Sequence, residues 1–369
     1  MVDEALLLRQ TVREWFPRFL ANGVDYNDLL RITQRVRAWE EWCREWSREA
    51  ARHEALAEEA LGRGRTLTAG QAFLRAALYY HFGQLVFFRR PKERREAHEK
   101  RVAAFARAMP HLRPPVERAE IPFEEISLPA HLRLPEGKGP FPCVLLLPGM
   151  DSSKEELHTM ENLFLARGLA TLSMDGPGQG ETWYVMKLRP DYEKATSAAL
   201  DFLERCPEVD AGRVGVFGRS FGGYLAPRAA GKDPRFRACV GVGGFYDLSF
   251  WEASMIELIK EDFQNLCGAR NEQEAHAFSK QITLKGVAAE IRCPLLIIHG
   301  RRDVISPPEQ AERIVAEASG LKQLVMYEEG NHVCENLSRI YRPLVADWMA
   351  EHLGGSVRGG SETPRPSPG

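Results

Sequence analysis

Gly218-Arg219-Ser220-Phe221-Gly222 constrains this chain more than any other stretch, because of what flanks it. Arg213-Val214-Gly215-Val216-Phe217 precedes it, with the length and β-branched content of a buried parallel strand. Gly223 to Ala230 follows and reads as a helix packed closely on that strand. Strand, G-x-S-x-G, helix is the context in which a serine is held on a sharp turn with its hydroxyl exposed. A side chain at Gly218 or Gly222 would crowd the neighbouring strand or helix. Ser220 is therefore the candidate nucleophile.

An acid and then a histidine should follow in chain order. Pro294 to Gly300 is a second buried-strand run, and it ends in the turn Arg301-Arg302-Asp303-Val304-Ile305-Ser306-Pro307. Gln323 to Tyr327 reads as a further strand, followed by Glu328-Glu329-Gly330-Asn331-His332. Asp303 and His332 thus lie just beyond strand ends, where an α/β sheet presents its chemistry. Ser220, His332 and Asp303 form the predicted triad.

An oxyanion hole needs the N–H after the nucleophile and a second N–H from the loop beyond an earlier strand. Val144 to Leu147 supplies that strand and Pro148-Gly149-Met150-Asp151 the loop, so the N–H groups of Met150 and Phe221 are the candidates. Ser152 with Glu155, or Ser153 with Glu156, has the spacing of a capping box. Asp151 would sit beside the oxyanion hole, where a carboxylate opposes a developing oxyanion unless it is protonated, paired or used to hold substrate. Substrate binding and loop capping are both open for it.

The rest of the chain separates near Pro110 to Pro122. Before this point apolar and aromatic residues recur at helical spacing, as in Trp39, Trp42, Cys43 and Trp46, with Asp25 or Asn27 as a cap and Gly62, Gly64 and Gly70 as breaks. After it, strands alternate with helices: Glu125–Leu128, His131–Leu134, the Val144 run, Ala170–Met174, the Val214 run, Ala238–Val242 and the two late runs. That pattern predicts a mostly parallel, doubly wound α/β sheet with helices on both faces, over residues 121–353. Residues 1–120 form an all-helical N-terminal domain. Residues 245–292, starting at Phe245-Tyr246-Asp247-Leu248-Ser249-Phe250-Trp251, insert where a lid would overhang the strand ends. Their aromatics are placed to line an apolar pocket or to pack the lid on the sheet. The Gly, Ser and Pro rich segment 354–369 reads as a disordered tail.

Composition narrows the function. A net charge of −2 gives no electrostatic reason to expect nucleic acid or an anionic membrane. The most basic run, Arg89 to Glu96, is interspersed with Glu and reads as a solvated helix face. Seven dispersed cysteines without a C-x-x-C pair suggest reduced thiols in a cytoplasmic protein. Cys143, Cys239 and Cys293 sit in apolar strand contexts, and Cys334 lies near His332. No His or Cys cluster has metal-ligand spacing. Gly176-Pro177-Gly178-Gln179-Gly180 lacks the register of a dinucleotide loop, because Glu181 occupies the last glycine position. Neither a metal nor a cofactor is called for, and neither an export signal nor a membrane span is read. The expected partner is a small-molecule substrate.

The triad, the loop from Pro148 to Glu156, the Trp39/Trp42/Trp46 helix and Ala76-Ala77-Leu78-Tyr79-Tyr80-His81 together resemble the dihydroxypseudooxynicotine hydrolase group of α/β-hydrolases. That group is similar to FrsA-like esterases and to fungal polyketide-shortening hydrolases. The resemblance runs from Gly23 to about Leu353. It implies an α/β-hydrolase fold, a helical domain that caps the site, and a homodimer. By resemblance Ser220, Asp303 and His332 match the family triad. Asp151 matches an acidic position that is Glu in the nicotine-degrading member, so the shorter side chain here departs from it. The family precedent favours carbon–carbon cleavage of a β-diketone, and an ester fits the same machinery. Two other readings stand beside hydrolysis: a ligand-binding protein with little turnover, and a regulatory protein that docks a partner on its Trp-rich helix.

Overall fold

The computed structural model describes residues 4–85 and 87–356. Five helices come first: α1 Glu4–Ala21, α2 Tyr26–Arg35, α3 Trp42–Gly62, α4 Thr66–Gln84 and α5 Pro91–Ala108. They pack around a core of their own, with Trp15, Phe19, Trp39, Trp42, Trp46, Phe73 and Phe82 inside it. Trp39 stacks on Trp42 at 5.4 Å, and the Trp42 indole N–H donates to the Phe82 carbonyl. All three tryptophans of the segment are buried, so their use is packing, and they offer no face to a partner. Asp25 caps α2 by accepting from the N–H groups of Asn27 and Asp28. Gly70, expected as a break, lies inside α4, tight against His111.

An eight-stranded sheet follows, with the spatial order β1-β2-β4-β3-β5-β6-β7-β8. The strands are β1 Glu117–Phe123, β2 Ile126–Arg133, β3 Phe141–Leu147, β4 Ala170–Met174, β5 Val209–Arg219, β6 Phe236–Val242, β7 Leu295–Gly300 and β8 Lys322–Tyr327. β1 and β2 are antiparallel, β2 meets β4 antiparallel, and every pairing from β4 through β8 is parallel. The central strands are buried on both faces with a period of two. In β7, Leu295 and Ile297 face one core while Leu296 and Ile298 face the other. The helices α6 His158–Leu165, α7 Glu193–Leu203, α8 Phe221–Lys232, α9 Glu257–Cys267, α10 Glu272–Ser279, α11 Pro308–Glu317 and α12 Ser338–Leu353 complete the layers. This is the α/β-hydrolase architecture with a helical N-terminal region.

Three expectations need correction. The sheet starts at Glu117, inside the stretch read as a Pro-rich divide, because Pro122 sits on an edge strand where its missing N–H is tolerated. The segments Glu125–Leu128 and His131–Leu134 join into the single strand β2, with Pro129 inside it. Gly354 to Ser356 belong to the fold, since Gly355 donates to Ala350 and Ser356 to Arg167. The rest of the expected tail, from residue 357, lies outside the described residues.

Candidate active site

β5 ends at Arg219 and α8 begins at Phe221, so one residue must turn the chain. That residue is Ser220, with φ 55° and ψ −123°, a backbone conformation that few side chains adopt. The turn closes because its neighbours are glycines. A Cβ on Gly218 would lie 1.9 Å from the Gly222 carbonyl oxygen, and one on Gly222 would lie 2.2 Å from that of Leu147. Any larger residue would force the strand and helix apart.

His332 Nε2 lies 2.8 Å from Ser220 Oγ, and its Nδ1 lies 2.8 Å from Asp303 Oδ2. Asp303 also accepts from the backbone N–H groups of Ile305 and Ser306 at 2.8 Å. Burial alone would raise its carboxyl, but His332 and these hydrogen bonds hold it below the usual range. As an ionised acceptor Asp303 fixes the proton of His332 on Nδ1, which leaves Nε2 free to accept the Ser220 proton. The structure therefore brings the three expected residues together from the C-terminal ends of β5, β7 and β8.

Sequence reasoning missed two supports of this set. His299, the next-to-last residue of β7, lies 3.4 Å from Asp303 Oδ2 and donates to the Ser306 carbonyl. Burial lowers its affinity for a proton, so it stays neutral. Gln179, in the glycine-rich loop after β4, donates to the carbonyls of Pro148 and Gly149 and accepts from the Tyr192 hydroxyl. It pins the loop that carries Met150. That loop approaches the nucleophile so closely that a Cβ on Gly149 would lie 3.3 Å from that of Ser220. Met150 and Phe221 thus flank Ser220, and among the described residues neither N–H donates to another backbone carbonyl.

The Asp151 carboxylate meets the Arg18 guanidinium of α1, at 2.8 Å from Nη1 and 3.1 Å from Nη2. Its role is thus an ion pair at the pocket wall rather than a loop cap. Arg18 reaches Glu156 with its other edge, Nε to Oε1 at 2.8 Å and Nη2 to Oε2 at 2.7 Å. The expected capping box does not form: Ser153 precedes a short 3₁₀ turn without a side-chain cap bond. Glu156 is instead the buried hub of a network, receiving Asn22, His81, Ser152 and Arg219 as well. Burial opposes its charge, but Arg18 and Arg219 hold the carboxyl well below the usual range. Arg219, the residue before the nucleophile, continues the network to Glu335 and Arg342.

Glu155, Asp175 and Glu181 bring their carboxylate oxygens within 4.8 Å of one another, a spacing open to a metal. The ammonium of Lys154 sits among them, 2.6 to 2.8 Å from each, and supplies the positive charge itself. Cys143 of β3 and Cys239 of β6 are buried, whereas Cys293 precedes β7 and is half-buried; Cys334 is buried, its thiol pushed up to about 12 by burial first and by Asp303 and Glu335 next. It is unreactive there.

A cavity opens above Ser220 and His332. Phe245, Leu248, Phe250, Met255, Ile259 and Phe263 of the 245–292 insertion line it, together with Trp15 and Arg18 of α1. Some lid aromatics therefore form the pocket, while Trp251 and Tyr246 pack away from it. A smaller polar chamber lies behind Asp151, with Arg94, His98 and Arg101 in its wall. Arg94, read as part of a solvated face, instead lies over the rings of Phe88 and Trp183 at 4.3 and 4.4 Å.

A family model described as esterase FrsA-like matches residues 26–354. The chain belongs to this family. Over 339 residues it is 35% identical to a 2,6-dihydropseudooxynicotine hydrolase of Paenarthrobacter nicotinovorans, covering 91% of each chain. It is also 38% identical over 242 residues to the 20-hydroxy-prefusarin hydrolase FUS2 of Gibberella moniliformis, covering 61% of this chain and 58% of that one. A crystal structure of the 2,6-dihydroxy-pseudo-oxynicotine hydrolase superposes with a TM-score of 0.86 at 34% identity, over 95% of this chain and 99% of that one. That match spans both the helical region and the sheet. The chain is an α/β-hydrolase enzyme. Among the described residues, no helix is long and apolar enough to cross a membrane.

Proposed function

We propose that this enzyme cleaves a carbon–carbon bond in a β-diketone-like substrate by acyl transfer to Ser220. The observation that carries the mechanism is the unbroken line from Asp303 through His332 to Ser220, with both contacts at 2.8 Å. His332 Nε2 takes the hydroxyl proton as Ser220 Oγ bonds to one carbonyl carbon. The N–H groups of Met150 and Phe221 hold the oxyanion that forms. As the carbonyl re-forms, the bond to the central carbon breaks and its electron pair passes into the enolate of the departing ketone. The imidazolium of His332 returns the proton to that carbon. Water then gives a proton to His332, attacks the acyl ester and releases an acid, which restores Ser220.

The apolar lining of the cavity and the sequence resemblance to polyketide-shortening hydrolases support an aryl or polyketide-type diketone. The family's esterase description makes an ester the second reading. Product analysis on a matched aryl β-diketone and aryl ester, with wild type and Ser220→Ala, separates them. Serine-dependent formation of a ketone and an acid from the diketone is expected. Cleavage of the ester alone would make the enzyme an esterase, and turnover of neither would revive a binding role.

A further inference from the structure

Asp262 lies on α9 among Ile259, Phe263 and Leu266, on the face that the lid turns toward the pocket. Its side chain is buried, at 1% exposure, and both carboxyl oxygens are without a hydrogen-bond partner among the described residues. Buried polar groups are nearly always satisfied, and an unpartnered one in a native fold marks a place where something else supplies the partner. The location says what that is. Asp262 lines the cavity that holds Ser220 and His332, and also the polar chamber behind Asp151.

The charged groups that face it come from three other elements: Asp151 from the loop after β3, Arg94 from α5 and Arg18 from α1, with Glu261 beside it on α9. Arg18 is already engaged by Asp151 and Glu156; Arg94 lies over aromatic rings with Nη1 on the Tyr184 hydroxyl, while its Nε has no hydrogen-bond partner among the described residues. Burial first, and Asp151 second, push the Asp262 carboxyl well above its usual range. Two carboxyls therefore share one wall in different settings, Asp151 ion-paired and Asp262 with no hydrogen-bond partner among the described residues, where burial favours its protonated form.

We propose that Asp262 donates a hydrogen bond from its carboxyl O–H to a second oxygen of the substrate, on the leaving-group side of the carbonyl that Ser220 attacks. The substrate class is then a 1,3-dicarbonyl, or an acyl compound with an acceptor oxygen at the same distance. This deepens the acyl-transfer reading and rests on it. As the carbon–carbon bond breaks, the second oxygen becomes an enolate oxygen, so the hydrogen bond strengthens as charge develops. A site built around such a donor rejects analogues that leave it unpaired.

The test compares kcat/KM for a matched aryl β-diketone and aryl ester in wild type, Asp262→Leu and Asp262→Asn. Asp262→Leu should lose about 10- to 100-fold more on the diketone than on the ester. Asp262→Asn, which keeps a neutral N–H donor, should restore most of that difference. Equal losses on both substrates, or an Asn variant as impaired as the Leu variant, would overturn the proposal; the latter would mean that an ionised carboxylate is needed. Wild type that cleaves the ester but not the diketone would instead defeat the carbon–carbon reading. An infrared measurement is independent of turnover and of the Leu variant's folding. At neutral pH the wild-type minus Asp262→Asn difference should show a protonated carboxyl stretch. In the Ser220→Ala background that band should move to lower frequency when the diketone binds. No such band, or one that the diketone leaves in place, would also overturn the proposal.

Discussion

The two walls of the pocket are held in opposite ways. On the sheet side, Ser220, His332 and Asp303 stand at strand ends and are joined to one another, and Asp303 to the Ser306 N–H, by contacts of 2.8 Å. On the helical side, Arg18, Asp151 and Asp262 come from α1, a loop and the lid; one carboxylate is ion-paired and the other carboxyl has no partner. The sheet wall is complete before substrate arrives, as preorganised catalysis requires. On the helical wall the Asp262 oxygens lack a partner among the described residues. Under the proposed mechanism, reaction type is built into the sheet and selectivity into the helices laid over it.

The comparison breaks most sharply at the nucleophile. Ser220→Ala should lower kcat by about 10⁵- to 10⁶-fold with an unchanged fold, read by turnover and circular dichroism. Residual activity above roughly a thousandth of wild type would remove Ser220 from that role. On the helical side, Arg18→Met leaves Asp151 without its counter-ion and Glu156 with one fewer. Stability should fall by about 3–5 kcal/mol in a urea titration, because a buried carboxylate stripped of its partner is costly. An unchanged midpoint would show that α1 is not clamped to the sheet by charge.

A smaller effect is expected at Gln179, which acts only through the loop bearing Met150. Gln179→Ala should cost about 10- to 100-fold in kcat with little change in KM, since the oxyanion forms after binding. A rise in KM alone would place Gln179 in substrate binding instead.

The weakest lever is acid, and it acts where the helices meet the sheet. His131 of β2 stacks on Phe105 of α5, and burial first and Lys154 second hold its proton affinity down to about 3. The unfolded chain therefore binds a proton there from about pH 6.5 downward, so stability falls as pH drops toward 3. Burial would raise the Glu161 carboxyl of α6, but His158 at 3.7 Å, Arg133 and the Ser173 hydroxyl hold it at about 2. Its contribution is full above about pH 4.3 and is lost as pH falls toward 2. The urea midpoint should decline below pH 6.5 and more steeply below 4.3. A constant midpoint from pH 7.5 to 4 would contradict this.

What was legible in the sequence follows the same division. The triad was readable because each member follows an apolar strand run, and chain order then leaves few choices. The expectation for Met150 and Phe221 rested only on their places in the loop after Leu147 and directly after Ser220. Glu155 and Glu156 read as a helix start because a Ser-x-x-Glu spacing carries no sign of burial; only α1, α4 and α5, distant in the chain, bury them. Gln179 acts on a loop thirty residues away through space, which no local pattern encodes. Asp262 sits in Lys260-Glu261-Asp262, which looks like a polar helix face. Its one signal was helical register, since Ile259 and Leu266 at i−3 and i+4 place it on the apolar side. The edge strand β1 was hidden by Pro122 within it and by Pro114 and Pro115 just before it.

The most direct measurement is rapid quench of the enzyme with a slowly hydrolysed aryl β-diketone, followed by intact-mass and peptide mass spectrometry. A mass increase equal to the acyl half of the diketone, confined to the peptide bearing Ser220, is the predicted result. Ketone release in the same time course without any adduct on Ser220 would contradict it, and would mean that water, not the serine, attacks the carbonyl.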